Sequence, residues 1–377
     1  MFQKPLPIEY TQLSDEETAS RIKSAKQKLG SDLVILGHHY QRNEIIQHAD
    51  YRGDSYKLAK DASKHPEAKY IVFCGVHFMA ESADILTNPD QIVILPNLAA
   101  GCSMADMANH FQVRNAWKQI SEVLGDIELG SDGDGPKVVP VTYINSAANL
   151  KSFVGEHGGT VCTSTNAPSA LEWAFTQGQK ILFFPDQHLG RNTGVKMGYD
   201  PDKDMIVWDP FKPYGGNSPE DIKRATFILW KGHCSVHKRF TIDQIEAARA
   251  SHPGVNVLVH PECELEVVGA SDFNGSTEYI INKVEAAEAG SAWAIGTEIN
   301  LVERLAKENP DKTIFCLDPQ ICPCATMYRI HPSFLLYVLE KLADGEVINQ
   351  IQVPDDVAHW ARVALQRMLD IGAKPKD

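Results

Sequence analysis

An α/β fold of parallel strand–helix units, repeated as three lobes, is what this sequence predicts, and three observations predict it. Short, β-branched apolar runs recur along the chain, each leading into polar residues and then a helical pattern, as in βαβ units whose sheets are covered on both faces. The ends of these runs align as three copies of one plan. Each copy carries near its last strands one cysteine in a glycine- or proline-marked loop: Cys102 in PNLAAGCSMADM, Cys234 in KGHCSVH and Cys324 in DPQICPCATM. Three lobes facing one another would bring three thiols to a common centre.

The elements follow in order. Residues 12–29 show helical spacing of charged and apolar positions, with Ser14 or Asp15 as the cap. Strands are expected at 33–36, 71–73, 92–95, 138–141, 160–162, 181–184, 227–230, 255–259, 272–275, 292–295 and 314–317. In the three-copy alignment, GHHYQ, TYINS and HPECE end first strands. CGVHFMAES, TSTN and GSTE end second strands, and PNLAAGC, PDQHLGR and GTEIN end third strands. The Gly/Asp-rich stretch 125–136 and the His252-Pro253-Gly254 turn mark boundaries. The expected lobes are therefore 30–137 with Cys102, 138–254 with Cys234, and 1–29 plus 255–377 with Cys324. Residues 198–221, rich in Pro, Gly and Asp, read as a loop inserted in the second lobe.

Composition narrows the function classes. The chain has 377 residues, is 43% hydrophobic and carries a formal charge of −13, which argues against an extended nucleic-acid or anionic-membrane surface. The N-terminus lacks an apolar signal region and no run of about 18 apolar residues spans a membrane, so a cytoplasmic protein is expected. In that compartment eight cysteines point to metal or catalysis before disulfides.

Three cysteines ninety or more residues apart lack the local pair usual in zinc sites. An iron-sulfur cluster tolerates such dispersal, since each iron needs one protein thiolate, and three ligands on a four-iron cluster leave one iron open as a Lewis acid. Cys322 and Cys324 are too close for both to face one metal easily. Polar residues gather at the expected strand ends: His38, Tyr40, Ser55, Tyr143, Asn145, Ser164, His260, Glu262, Ser276 and Thr277. Each has a plain explanation as a turn residue or helix cap. Together they also suit carboxylate binding at helix N-termini, with Glu262 beside His260 as an acid/base pair and Tyr40 or Tyr143 as proton shuttles.

The segments HHYQRNEIIQHADYRGDS, FCGVHFMAESADILTNP, GCSMADM, TYINSAANLKS, TSTNA, LFFPDQHLG, KGHCSVH, HPECELEV, GSTEYI, IGTEINLV and CPCATMYRI closely resemble the quinolinate synthase family of bacterial NAD biosynthesis. The resemblance runs in order from about residue 33 to 345. It implies three pseudo-symmetric three-layer α/β/α lobes with parallel sheets around a central [4Fe-4S] cluster held by Cys102, Cys234 and Cys324. For the last ligand, the family pattern C-x-x-M fits Cys324 with Met327. It implies a transferase-type dehydrating condensation of iminoaspartate with dihydroxyacetone phosphate to quinolinate, phosphate and two waters. Substrate would be bound by His38, Ser55, Tyr143, Ile144 through its backbone, Asn145, Ser164, His260, Pro261, Glu262, Ser276 and Thr277. Tyr40, Tyr143, Glu262 and His260 would be catalytic, and His237 would support the cluster or the triose phosphate. L-Aspartate oxidase is the implied transient partner.

The residues also leave other readings. A different open-iron hydro-lyase would share the thiols but not the HPE, GST and YIN sets. A zinc-dependent hydrolase would use His38, His260 and Glu262 as ligands. An iron-sulfur sensor would need a basic stripe or helix-turn-helix that the sequence lacks.

Overall fold

Parallel strands buried on both faces dominate the architecture. The computed structural model describes residues 3–320 and 323–372. Among the described residues the first sheet contains β1 (Leu33–His38), β2 (Tyr51–Gly53), β3 (Tyr70–Cys74) and β4 (Ile92–Ile94), paired in the order β2-β1-β3-β4 and all parallel. The second contains β5 (Val138–Tyr143), β6 (Thr160–Cys162), β7 (Lys180–Phe184), β8 (Met205–Trp208) and β9 (Phe227–Trp230), ordered β6-β5-β7-β9-β8. The third contains β10 (Asn256–Val259), β11 (Phe273–Asn274), β12 (Ala292–Gly296) and β13 (Thr313–Cys316), ordered β11-β10-β12-β13. A last strand, β14 (Gln350–Ile351), joins β4 antiparallel. The three sheets thus share one order, second-first-third-fourth, with β9 filling the fourth place in the second sheet.

Every residue of β1 and of β5 is buried. These central strands are apolar on both faces, as the crossover helices of parallel sheets require. The expected strands are all present.

The structure changes the repeat alignment at one point. The second strand of the first copy is β2, whose Tyr51 and Arg52 are exposed. CGVHFMAES therefore ends the third strand, β3, and PNLAAGC the fourth, β4. A polar edge strand of three residues has no apolar run to announce it. The stretch 198–221, expected as a loop, carries the edge strand β8, held by Trp208 and Met205 packed into the sheet.

By close packing the chain divides into two units, residues 1–102, 298–308 and 320–353, and residues 103–297, 309–319 and 354–377. In the first, the helix Asp15–Leu29, capped by the Ser14 hydroxyl accepting the Glu17 N–H at 3.1 Å, lies on the helix Pro332–Ala343. Arg21 forks onto Glu340 at 2.9 and 2.7 Å, and the Tyr10 hydroxyl donates to the same carboxylate. In the second, the C-terminal helix Asp355–Gly372 packs on the helix Ala148–Glu156. Gly155 allows this closeness, because a side chain there would meet the carbonyl oxygen of Trp360.

Candidate active site

Strand register superposes the candidate residues of the three copies. His38 pairs with Gly53 and Tyr143 with Cys162; in the third copy the last pair is Val259 with Asn274, and one residue further on His260, level with Gly275, takes the place of His38 and Tyr143. The same register makes Ser55, Ser164 and Thr277 equivalent hydroxyls just past the second strands. Ser55 and Thr277 open the helices Ser55–Ala62 and Thr277–Glu285. Asp54 caps the first by accepting the Lys57 N–H at 2.9 Å, and Ser276 caps the second by accepting the Tyr279 N–H at 3.3 Å.

The first and third copies share a turn as well. The Tyr40 N–H donates to His38 Nδ1 at 3.1 Å, and the Glu262 N–H donates to His260 Nδ1 at 3.3 Å. A ring nitrogen that accepts carries no proton, so each neutral imidazole holds its proton on Nε2. The Tyr40 ring lies edge-on to His38, with centroids 4.8 Å apart. In the middle copy the Ile144 N–H is given to the Cys162 carbonyl at 2.8 Å, and the buried Oδ1 of Asn145 makes no hydrogen bond.

In the second unit the buried carboxylate of Glu262 gathers a polar cluster. His237 Nδ1 lies 2.6 Å from Glu262 Oε2 and its Nε2 3.1 Å from the Thr297 hydroxyl. His260 stacks on His237, with centroids 4.3 Å apart and planes 14° apart. Burial alone would raise the pKa of Glu262. The charge of His237 and the hydrogen bonds from His237 and Tyr143 instead hold it down to about 2. Burial, followed by the neighbouring His237, pushes His260 down to about 3. The pair is therefore an ionised acceptor beside a neutral imidazole donor.

Two further carboxylates were not singled out from the sequence. Asp186 and Glu298 occupy equivalent places, two residues past β7 and β12, and both are fully buried. Burial, and next the charge of Glu262, raise Asp186 well above the usual range, although the N–H groups of Leu189, His188 and Cys234 oppose this. Burial raises Glu298 to about 7 against N–H donation from Cys324 at 3.1 Å and from Asn300 at 2.8 Å. Each buried acid thus faces the backbone of a candidate ligand cysteine. Their one sequence signal is a repeated acidic residue after the third strand, in PDQ and TEI.

The cysteine loops repeat in detail. Cys102, Cys234 and Cys324 each stand three residues before a single-turn helix, at Ala105–Met107, His237–Arg239 and Met327–Arg329. Each also stands eight residues before a longer helix, beginning at His110, Ile242 and Pro332 and capped by Asn109, Thr241 and His331. Cys324 is the counterpart of Cys102 and Cys234 in this pattern, and Cys322 lies outside the described residues. All three thiols are partly exposed, whereas Cys74, Cys162 and Cys263 are buried and burial raises their pKa values, that of Cys74 to about 12. Loop thiols of this kind suit thiolate ligation and the buried ones do not. Sγ of Cys234, His237 and a Glu262 oxygen lie within 4.8 Å of one another, so this trio could also hold one metal ion.

In the second unit the fold therefore brings together Tyr143, His237, His260, Glu262 and Cys234. Ser164 and Pro261 line a small cavity of about 50 Å³ there with Asn192, Lys196 and Gly275. In the first unit Glu298 accepts hydrogen bonds from both Cys324 and Asn300, and Asn300 reaches the Tyr40 carbonyl at 3.4 Å. That chain of contacts ties a cysteine loop to the His38–Tyr40 turn. No helix among the described residues is long and apolar enough to cross a membrane.

Comparison with known proteins places this geometry in context. Residues 20–370 match the family model described as Quinolinate synthetase A protein. The chain is 58% identical to the quinolinate synthase of Corynebacterium glutamicum over 369 residues, covering 98% of this chain and 91% of the relative. It is 55% identical to that of Streptomyces coelicolor, covering 94% and 89%, and 50% identical to that of Bacillus cereus, covering 97% and 96%.

Proposed function

We propose, since the chain belongs to the quinolinate synthetase A protein family, that it condenses iminoaspartate with dihydroxyacetone phosphate, giving quinolinate, phosphate and two waters. The observation that carries this reading is the recurrence of one site plan three times: His38, Tyr143 and His260 at first-strand ends, Ser55, Ser164 and Thr277 past second strands, and a partly exposed cysteine after each fourth strand. Each sheet with its helices is one lobe in this reading.

The chain's own residues bind, orient and move protons. The hydroxyls of Ser55, Ser164 and Thr277 hold substrate carboxylates, helped by the positive ends of the helices they adjoin. The unpartnered Oδ1 of Asn145 takes an N–H of the imine. His260 donates from Nε2, which its turn geometry leaves as the protonated nitrogen. Glu262, kept ionised by His237, accepts a proton through the Tyr143 hydroxyl, and Tyr40 serves the same office from the His38 turn. Cys102, Cys234 and Cys324 would hold a [4Fe-4S] cluster, which supplies an open iron as a Lewis acid toward a substrate oxygen without redox change. Iminoaspartate hydrolyses in water, so transient supply by L-aspartate oxidase in the cytoplasm fits this chemistry.

The test is anaerobic purification with iron, sulfide and zinc analysis, then a quinolinate assay from the two substrates. Wild type should hold close to four irons and four sulfides and form quinolinate, and Cys102→Ser, Cys234→Ser and Cys324→Ser should each lose both properties. The compact Cys234–His237–Glu262 trio favours a second reading, a single zinc ion in a hydrolase. Stoichiometric zinc without sulfide, and no quinolinate, would put that reading first.

A further inference from the structure

We propose that Arg304 and Asn192 are positioning residues that clamp the turns bearing His38–Tyr40 and His260–Glu262, each by giving two hydrogen bonds to the carbonyls on either side of Tyr40 or of Glu262. The inference rests on the assignment of those turns to the active site. Arg304 lies in the helix Ile299–Glu308 that follows β12, and Asn192 in the helix Gln187–Lys196 that follows β7. Each stands six residues past its copy's buried acid, Glu298 or Asp186. Each reaches into the turn of a different copy.

The acceptor carbonyls correspond residue for residue. Arg304 donates from Nη2 to the His39 carbonyl and from Nη1 to the Gln41 carbonyl, the latter at 3.2 Å. Asn192 Nδ2 donates to the Pro261 and Cys263 carbonyls, both at 2.8 Å. His39 and Pro261 follow the turn histidine by one residue, and Gln41 and Cys263 by three. Both turns are otherwise closed by the same bond, from the Gln41 N–H to His38 O at 2.9 Å and from the Cys263 N–H to His260 O at 3.0 Å. A long guanidinium and a short amide thus deliver the same pair of donors to the same pair of acceptors.

Placement of donors explains this better than general packing. Both side chains are buried, and the Oδ1 of Asn192 is left without a hydrogen bond. A buried oxygen without a hydrogen bond is destabilising. A residue chosen only to fill that space would not carry it. Locking both flanking carbonyls fixes the peptide planes around Tyr40 and Glu262 and hence the direction of their side chains, where a shift of about 1 Å can cost a hundredfold in rate.

The test compares the anaerobically reconstituted full chain with Asn192→Leu and Arg304→Met, which remove the donors, and with Arg304→Lys, which keeps donors without the fork. The readouts are kcat and KM for quinolinate formation, thermal melting, and amide hydrogen exchange at residues 39–41 and at Glu262 and Cys263. Clamping predicts that exchange at the affected turn rises at least about tenfold and that kcat falls about 10- to 100-fold with KM within about threefold. Arg304→Lys should recover at least a third of the loss on a logarithmic scale. If the Leu or Met variant does not fold, Asn192→Ser and Arg304→Lys carry the test through partial effects at unchanged melting temperature. Exchange and kcat within twofold of wild type in the folded variants overturns the clamp. A wild type that forms no quinolinate overturns the proposed function instead, and exchange at the turns still decides the clamp.

Discussion

Replacing Glu262 with glutamine should cost about 3 kcal/mol of stability at neutral pH, and the cost should disappear in acid. Glutamine has nearly the shape of the protonated acid and lacks only its charge. The substitution therefore measures what ionisation of Glu262 contributes to the folded chain. The pKa falls from 4.5 to about 2 on folding, because the charge of His237 and the hydrogen bonds from His237 at 2.6 Å and from Tyr143 outweigh burial. At 1.36 kcal/mol per unit that depression is worth about 3 kcal/mol. Full burial of the pair leaves no solvent screening to discount. A depressed acid stabilises above its unfolded pKa and ceases to do so as pH falls through its folded pKa. Wild type should exceed Glu262→Gln by a constant amount from pH 7 to about 4.5, and the gap should then close by about 1.4 kcal/mol per pH unit. Urea unfolding followed by circular dichroism at a series of pH values reads both quantities. A gap under about 1 kcal/mol at pH 7, or one unchanged between pH 4.5 and 3, would refute the charged-pair account.

Other outcomes follow from the same physical picture. His260, neutral in the fold with a pKa near 3 against 6.5 unfolded, takes up its proton first in the unfolded chain; wild type should therefore lose about 2 kcal/mol between pH 6.5 and 5, a loss that His260→Gln should remove from the urea titration. Gly155→Ala places a methyl against the Trp360 carbonyl and should cost about 1–3 kcal/mol, whereas Gly269→Ala, which meets nothing within 4 Å, should change urea stability by less than about 1 kcal/mol.

Much of the architecture was legible because parallel sheets write themselves as apolar runs. Strands such as β1, β5, β7 and β9 are buried throughout, and their runs stand out from the polar ends that follow. Edge strands were less visible. β2 has two exposed residues of three, β14 has only two residues, and β8 lies in a stretch whose Pro, Gly and Asp content reads as loop. Missing β2 shifted one copy of the repeat by a strand. Only hydrogen-bonded register could make Ser55 the counterpart of Ser164 and Thr277 in its own copy.

What the sequence by itself determined is the α/β class, the family, and the residue types at the strand ends, since these depend on local order along the chain: an apolar run, then a histidine, tyrosine, hydroxyl or cysteine. What only the tertiary structure decided is the use of the groups between them. Glu262 is held ionised by a histidine 25 residues away, Arg304 spends its guanidinium on carbonyls more than 260 residues away, and Asp186 and Glu298 are acids that burial keeps protonated more readily than their type implies. Burial and hydrogen-bond partners set ionisation and orientation, and both are properties of folded neighbours that sequence distance does not encode.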